Sequence, residues 1–581
     1  MSLSARHHWI ITIASALVFF TNLGGPRLWD DDEPRNATCA REMLARSDWV
    51  VPTFNGELRT DKPVLLYWLI MGAYQVFGDN EFAARFWSAM AAVGTTFCTY
   101  HLGRKLFRPE VGLWASIAQA TALWFGFTGR AATPDSILIV CMTFVMLWFV
   151  RTASPQTGLP QRWIDFLLMY AAMGLGVLAK GPVAVMLPGA ALTIYLLASS
   201  KLPEINTTQP RNWWSWLDRV YLVARRLMPV NVLRAVWQLR PLMGICVVAA
   251  IALPWYVAVY IQTDGKWIEG FLGHHNLQRF TSPLNDHRGT IFYYVPSILA
   301  GFFPWSIFLP LSLWRGAGRL RAEEPQRKSY LFLFCWLGLY IGFFSLAGTK
   351  LPSYVLPAYP ALAILVGAFL DRWFVRPGCE PKFWMRTAFV ALAGIGAAGL
   401  IGLPIACSQL LPGERLIGLP GLIPLVGGLM ALVLLELRKF RRSIIVVAGA
   451  SVLTSTLIFG FVAMRISRFQ NSEPLAKIAR QISGDQPKVA SLGIFSSSLV
   501  YYLGANVEPL DDVEQFKDFV AREPNGFVIL TSTSYWHAKQ WLPGDFAPLE
   551  REQRFLKDDE VLLIGRSQNS MARKQTSRET K

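Results

Sequence analysis

Apolar blocks of membrane-spanning length recur along most of the chain, and no other feature restricts its fold as strongly. A hydrocarbon core about 30 Å thick needs roughly 20 apolar residues in a helix. Hydropathy marks about thirteen such windows: 9–25, 83–103, 110–127, 134–150, 164–179, 181–199, 242–262, 290–313, 329–347, 352–370, 386–407, 418–437 and 443–465. With 53% hydrophobic and 16% charged residues in 581, the chain is too apolar for an ordinary soluble protein. The expected architecture is a polytopic α-helical membrane protein. The first window could be a signal peptide, but with many spans and no clean small-x-small site following, a retained first span is the better reading.

The net charge of +17 would suit a nucleic-acid binder if it were clustered. It is instead dispersed in short loops, which suits membrane topology and anionic headgroups and argues against a nucleic-acid partner. With the N-terminus cytoplasmic, Arg104–Arg108, Lys201–Arg240, Arg315–Lys328, Arg372–Arg386 and Arg438–Arg442 all fall on the inner side, as the positive-inside rule asks. An odd number of spans then puts the C-terminal part outside. The long first loop, 26–82, is external as well. Within it Arg35–Arg46 and Pro63–Val76 have the pattern of amphipathic helices lying on the membrane.

Beyond residue 466 the composition becomes water-soluble. Helices are expected over Glu473–Ile482 and Asp512–Ala521, and strands over Lys488–Leu492, Gly526–Leu530 and Val561–Gly565. The expected organisation is a transmembrane domain over 1–466, an external α/β domain over 467–566, and a disordered basic tail over 567–581. The seven cysteines form no C-x-x-C pair and no disulfide framework.

Ionisable residues gather at the external ends of the spans. Asp32 and Glu33 follow the first, Asp61 and Lys62 precede the second, and Asp135 opens the fourth. Lys180 lies between the fifth and sixth, His274, His275 and Arg279 precede the eighth, and Lys350 and Tyr354 enter the tenth. Carboxylates can accept a proton from an attacking hydroxyl. Lysines and arginines can hold a phosphate and stabilise the charge it gains on leaving. Each residue also has a plain structural reading. Asp135 suits the positive end of a helix dipole, Lys62 and Lys350 could snorkel, and Tyr354 could belong to an aromatic belt. The argument is their convergence on one face. A secondary transporter would place such groups near the midplane and often shows two related halves. Neither is visible. No G-x-x-x-x-G-K-[ST], nucleotide-binding G-x-G-x-x-G or G-x-S-x-G motif occurs, so a transferase of this format would draw its sugar from a lipid carrier.

The motifs Asp32-Glu33-Pro34-Arg35, Arg41-Glu42-Met43-Leu44, Asp48-Trp49-Val50-Val51-Pro52, Asn55-Gly56, Asp61-Lys62-Pro63, Lys180-Gly181-Pro182, Pro304-Trp305 and Lys350-Leu351-Pro352-Ser353-Tyr354 occur in one order over residues 25–370. In these the chain resembles polyprenyl-phosphate-dependent glycosyltransferases of the protein-O-mannosyltransferase superfamily, with the GT-C fold, and most of all the lipid A aminoarabinose transferases. The resemblance implies Asp32 as main catalytic carboxylate and Asp135 as a second acidic residue. It implies Lys62 and Arg279 on the carrier phosphate, with Arg35, Lys180 and Tyr354 near it or the sugar. Glu33, Asp61, His275 and Lys350 complete the candidate donor site. The implied partners are a polyprenyl-phosphate sugar and a lipid A, protein or glycan acceptor, at the bacterial inner membrane. No cofactor is required by the motifs, and the acidic run with the histidines leaves a divalent cation open. Two positions depart from the aminoarabinose-transferase pattern. Asn36 stands where those proteins have Tyr, and Asp61 where they have Glu.

Overall fold

The computed structural model describes residues 3–29, 32–200, 225–273, 289–320, 326–375, 382–484 and 486–566. Each of the thirteen apolar windows overlaps helix, but those at 83–103, 110–127 and 181–199 lie on helices that are not long or apolar enough to count as spans. Among the described residues nine helices are long and apolar enough to cross a membrane. A tenth candidate, Tyr294–Gly301 with Trp305–Arg319, is bent by 119° at its break. The chain is a multi-pass membrane protein.

The helices around the site are α1 (Leu3–Phe20), α4 (Glu81–Leu106), α5 (Pro109–Thr121), α6 (Leu123–Arg130), α7 (Asp135–Thr152), α8 (Trp163–Lys180) and α9 (Val183–Ser199). The helices α4 and α5 pack closely because small residues face each other. A Cβ on Gly103 would come within 3.0 Å of the Gly112 Cα. Such close backbone approach is how helices associate where lipid supplies no hydrophobic drive.

The first loop is built rather than loose. It contains two helices, α2 (Asp32–Ala45) and α3 (Leu65–Phe77), where amphipathic segments were expected. Between them a hairpin, β1 (Thr53–Phe54) and β2 (Glu57–Leu58), turns at Asn55-Gly56. Both turn residues have positive φ, +58° and +80°, which Asn and Gly tolerate best. Three indoles tie this ribbon to its surroundings. Trp68 Nε1 donates to the Trp49 carbonyl (2.8 Å), Trp255 Nε1 to Val50 (3.0 Å) and Trp267 Nε1 to Arg59 (2.8 Å).

The C-terminal part is a small α/β domain with five strands: β3 (Val489–Leu492), β4 (Val507–Leu510), β5 (Phe527–Thr531), β6 (Phe546–Gln553) and β7 (Glu560–Arg566). Their order is β4-β3-β5-β7-β6. The first three are parallel and the last two pair antiparallel. Apolar clusters lie on both faces, one under Ser472–Ser483 and Ser497–Leu503, the other under Val513–Arg522. The expected helices and strands are present, whereas β4, β6 and the helix Ser497–Leu503 were not anticipated.

This domain sits on the first loop through specific bonds. Asn55 and Val507 exchange two hydrogen bonds of 2.8 Å, side chain to backbone in each direction. Arg41 donates to the Tyr501 carbonyl (2.6 Å) while paired with Asp79. The Tyr502 hydroxyl accepts from the Leu28 N–H (2.8 Å) and donates to Glu81 (3.0 Å). Leu28 and α2 are therefore held between the bundle and the soluble domain.

Candidate active site

Asp135 is the first residue of α7 and Lys180 the last of α8. Their side chains form an ion pair, each about one-fifth exposed. The Lys180 ammonium also lies 5.7 Å from the centre of the Tyr354 ring, within cation–π range. Tyr354 packs in turn against Phe344, at 5.1 Å between ring centres. Asp32 begins α2 and is exposed at this end of the bundle. It acts electrostatically on Lys180, Arg59 and Tyr67. A carboxylate, a lysine and a tyrosine expected from sequence thus meet at one end of the spans, and Asp32 acts on the same lysine.

Glu33 and Asn36 hold the segment that leads into α7. Glu33 accepts from the Ala132 N–H (2.9 Å) and Asn36 donates to the Ala132 carbonyl (2.8 Å). Both backbone groups of a residue just upstream of Asp135 are thereby fixed from α2. Glu33 is buried and also accepts from Arg85 Nε (2.8 Å) and Nη2 (2.9 Å). Arg85 gives its remaining N–H groups to the carbonyls of Leu23 (3.1 Å), Pro26 (2.6 Å) and Arg27 (3.1 Å). A fully bonded buried charge pair of this kind is a rigid support. Arg130 does similar work one step away, donating to the carbonyls of Val18 (3.0 Å), Phe19 (3.0 Å) and Thr21 (2.8 Å) at the end of α1.

Arg35 is directed to the soluble domain, donating to Ser497 Oγ (2.8 Å). Lys350 is buried and donates to the carbonyls of Ser345 (2.7 Å) and Ala347 (3.0 Å), closing the end of the helix Arg327–Leu346. Lys62 and Asp61 are half-buried, and Asp61 lies 3.6 Å from Arg59. His275 and Arg279 lie outside the described residues. Among the described residues no three His, Cys, Asp or Glu side chains converge as metal ligands.

Residues 61–228 match the family model described as dolichyl-phosphate-mannose-protein mannosyltransferase. The chain is similar to an undecaprenyl phosphate-alpha-4-amino-4-deoxy-L-arabinose arabinosyl transferase from Pectobacterium atrosepticum. The two are 26% identical over 496 residues, 83% of this chain and 82% of the relative. The enzyme of the same name from Edwardsiella ictaluri is 30% identical over 401 residues, 68% of this chain and 65% of the relative. The solved structure of ArnT from Cupriavidus metallidurans bound to undecaprenyl phosphate superposes with a TM-score of 0.74 at 22% identity, covering 97% of this chain and 98% of ArnT.

The chain has the ArnT fold.

Within this ArnT-like frame, four residues outside the expected site shape it: Asn36, Arg59, Arg85 and Arg130. Arg85 and Arg130 had a legible signal, since a charge in or beside an apolar window is rarely idle. Arg59 is buried beside Asp61, at 5% exposure, and its Nη2 donates to Asn36 Oδ1 (3.0 Å). Burial pushes the Tyr67 phenol well above its ordinary range, with the Arg59 guanidinium opposing, so the hydroxyl keeps its proton. Burial likewise pushes the neighbouring Cys39 thiol up to about 12.

Proposed function

We propose that the chain is an integral-membrane glycosyltransferase. It takes a sugar from an undecaprenyl-phosphate-type donor and transfers it to a lipid A-type or other cell-envelope acceptor. The observation that carries this reading is the meeting of Asp135, Lys180 and Tyr354, with Asp32 acting on the same lysine, at one end of the spans of an ArnT-like fold.

In this reading the acceptor oxygen attacks the anomeric carbon from the face opposite the leaving group. The new C–O bond forms as the bond to the phosphate oxygen breaks, and polyprenyl phosphate leaves with the electron pair. Inversion follows. If the acceptor is a hydroxyl, Asp32 takes its proton. If it is a phosphate oxygen there is no proton to take, and Asp32 stabilises positive charge developing on the sugar. Lys62, with Arg279, neutralises the carrier phosphate. Lys180 holds Asp135 in place, and Tyr354 lines the same wall. Glu33 acts through Arg85 and Ala132 as a positioning residue, and Lys350 through the end of its helix.

The site end faces the periplasm, the N-terminus is cytoplasmic, and the soluble domain over 467–566 lies on the site side. Its role is to hold the acidic segment, as Arg35–Ser497 and Tyr502–Leu28 indicate.

The test is transfer by purified protein in liposomes. A panel of undecaprenyl-phosphate sugars would be offered with lipid A, peptide and glycan acceptors, and Asp32→Asn as control. Transfer that requires Asp32 is expected. Undiminished transfer by folded Asp32→Asn would remove Asp32 from the chemistry.

A further inference from the structure

Arg59 is held on three sides. Its backbone carbonyl accepts from Trp267 Nε1 (2.8 Å), its Nη2 donates to Asn36 (3.0 Å), and the same nitrogen lies 3.6 Å from Asp61. The other edge is unbonded. Nε and Nη1 are buried and have no hydrogen-bond partner among the described residues. The Tyr67 ring centre is 5.9 Å from the guanidinium, and its buried hydroxyl lies against the Cys39 thiol. Buried donors on a charged group are costly to leave unmade. Two unpartnered donors on one buried guanidinium, with the Tyr67 hydroxyl beside them and Asp61 two residues on, form a recognition surface rather than a finished piece of core.

We infer that Arg59 reads the sugar of the donor, and that this sugar presents paired acceptor oxygens to it rather than an ammonium group. The inference rests on the glycosyltransferase reading above. The sugar hangs from the carrier phosphate, which that reading places at Lys62, and its anomeric carbon faces Asp32. Arg59 lies between these two points in sequence and in charge environment. A guanidinium edge offers two parallel N–H groups, matched by a carboxylate or by two neighbouring hydroxyls. The Tyr67 hydroxyl can donate a third bond. An ammonium placed on this edge would satisfy neither donor. Both free nitrogens are closed to water, so an arriving oxygen has to part the packing and is then bound without competition from solvent. The arabinosyl transferases to which the chain is similar carry an amino sugar in their name. Arg59 therefore points to a donor of another class.

The experiment measures binding and transfer separately, in nanodiscs of defined lipid. The ligands are undecaprenyl phosphate alone and undecaprenyl phosphate bearing a neutral hexose, a uronic acid or a 4-amino sugar. The proteins are wild type, Arg59→Gln and Arg59→Lys. Wild type is expected to bind the hexose or uronic acid donor at least about tenfold more tightly than the amino-sugar donor. Whichever of the two binds better identifies the oxygens as hydroxyl or carboxylate. Arg59→Gln should shrink that preference to within about threefold while leaving undecaprenyl phosphate alone unchanged. Arg59→Lys keeps the charge and loses the fork, and should fall between. Equal or tighter binding of the amino sugar by wild type overturns the inference. So does a loss of undecaprenyl phosphate binding in Arg59→Gln, which would make Arg59 a phosphate residue. A uniform loss for all donors in folded variants would make it a structural prop. Donor discrimination without any Asp32-dependent transfer would leave Arg59 standing and count against the glycosyltransferase reading alone.

Discussion

Replacing Arg85 by methionine should be among the most damaging single changes in the first loop, and its pattern separates support from substrate contact at Glu33. Arg85 makes two bonds to Glu33 and three to the carbonyls of Leu23, Pro26 and Arg27. The two side chains are 6% and 10% exposed. Methionine fills much of the same volume but leaves the Glu33 carboxylate buried without its cation, a loss of about 3–5 kcal/mol. Glu33→Gln keeps the shape and an oxygen for Ala132, and loses only the charge-assisted part, about 1–3 kcal/mol. Unfolding in detergent, followed by intrinsic fluorescence, should therefore rank wild type above Glu33→Gln above Arg85→Met. Because both variants weaken the support under the segment that holds Ala132, transfer should fall in the same order, through kcat more than donor KM. If Glu33→Gln were as stable as wild type and raised only the donor KM, Glu33 would be a substrate ligand and the support argument would fail.

Lys180→Met should lower transfer by at least about 100-fold. A double-mutant cycle with Asp135→Asn should show coupling of about 0.5–3 kcal/mol, measured on stability, and additive effects would mean that the pair does not work as a unit. Asn55→Ala removes both bonds to Val507 and a residue suited to φ +58°. It should cost about 1–2 kcal/mol and speed proteolysis between the bundle and the soluble domain. Gly56→Ala should act in the same direction, because its φ is +80° and a Cβ there would come 2.8 Å from Asn506 Nδ2. Cys39 has a thiol pushed up to about 12 by burial, so at pH 8 only about one in ten thousand is thiolate. Maleimide should leave it unmodified until the protein unfolds, and rapid labelling of native protein would show that α2 opens.

Physical periodicity decided what could be read from the chain and what could not. The helices were legible because a span must be apolar over a length that nothing else requires, and each window overlapped helix. In the soluble domain the strands foreseen were the interior β3, β5 and β7, whose residues are almost all buried. The strands missed, β4 and β6, are the two edges of the sheet. They carry Pro509 and Pro548 and, in β6, the charged run Glu550-Arg551-Glu552, as edges do to avoid further pairing. The same physics divided the site. Asp32, Asp135, Lys180 and Tyr354 stood out because each ends or begins an apolar run, so position alone marked them. Glu33 and Lys350 stood out for the same reason, yet their side chains turn to Arg85 and to helix carbonyls, a difference that depends on the partner and not on position. Arg59 carried no mark, and Asn36 only that of departing from the aminoarabinose-transferase pattern, since a polar residue in a polar loop looks solvated until the loop is folded back on the bundle. Once folded, they are the pair that joins α2 to the segment before Lys62. In the proposed donor site that pair supplies a charged, half-satisfied wall, where the apolar windows by themselves would suggest only a greasy cleft.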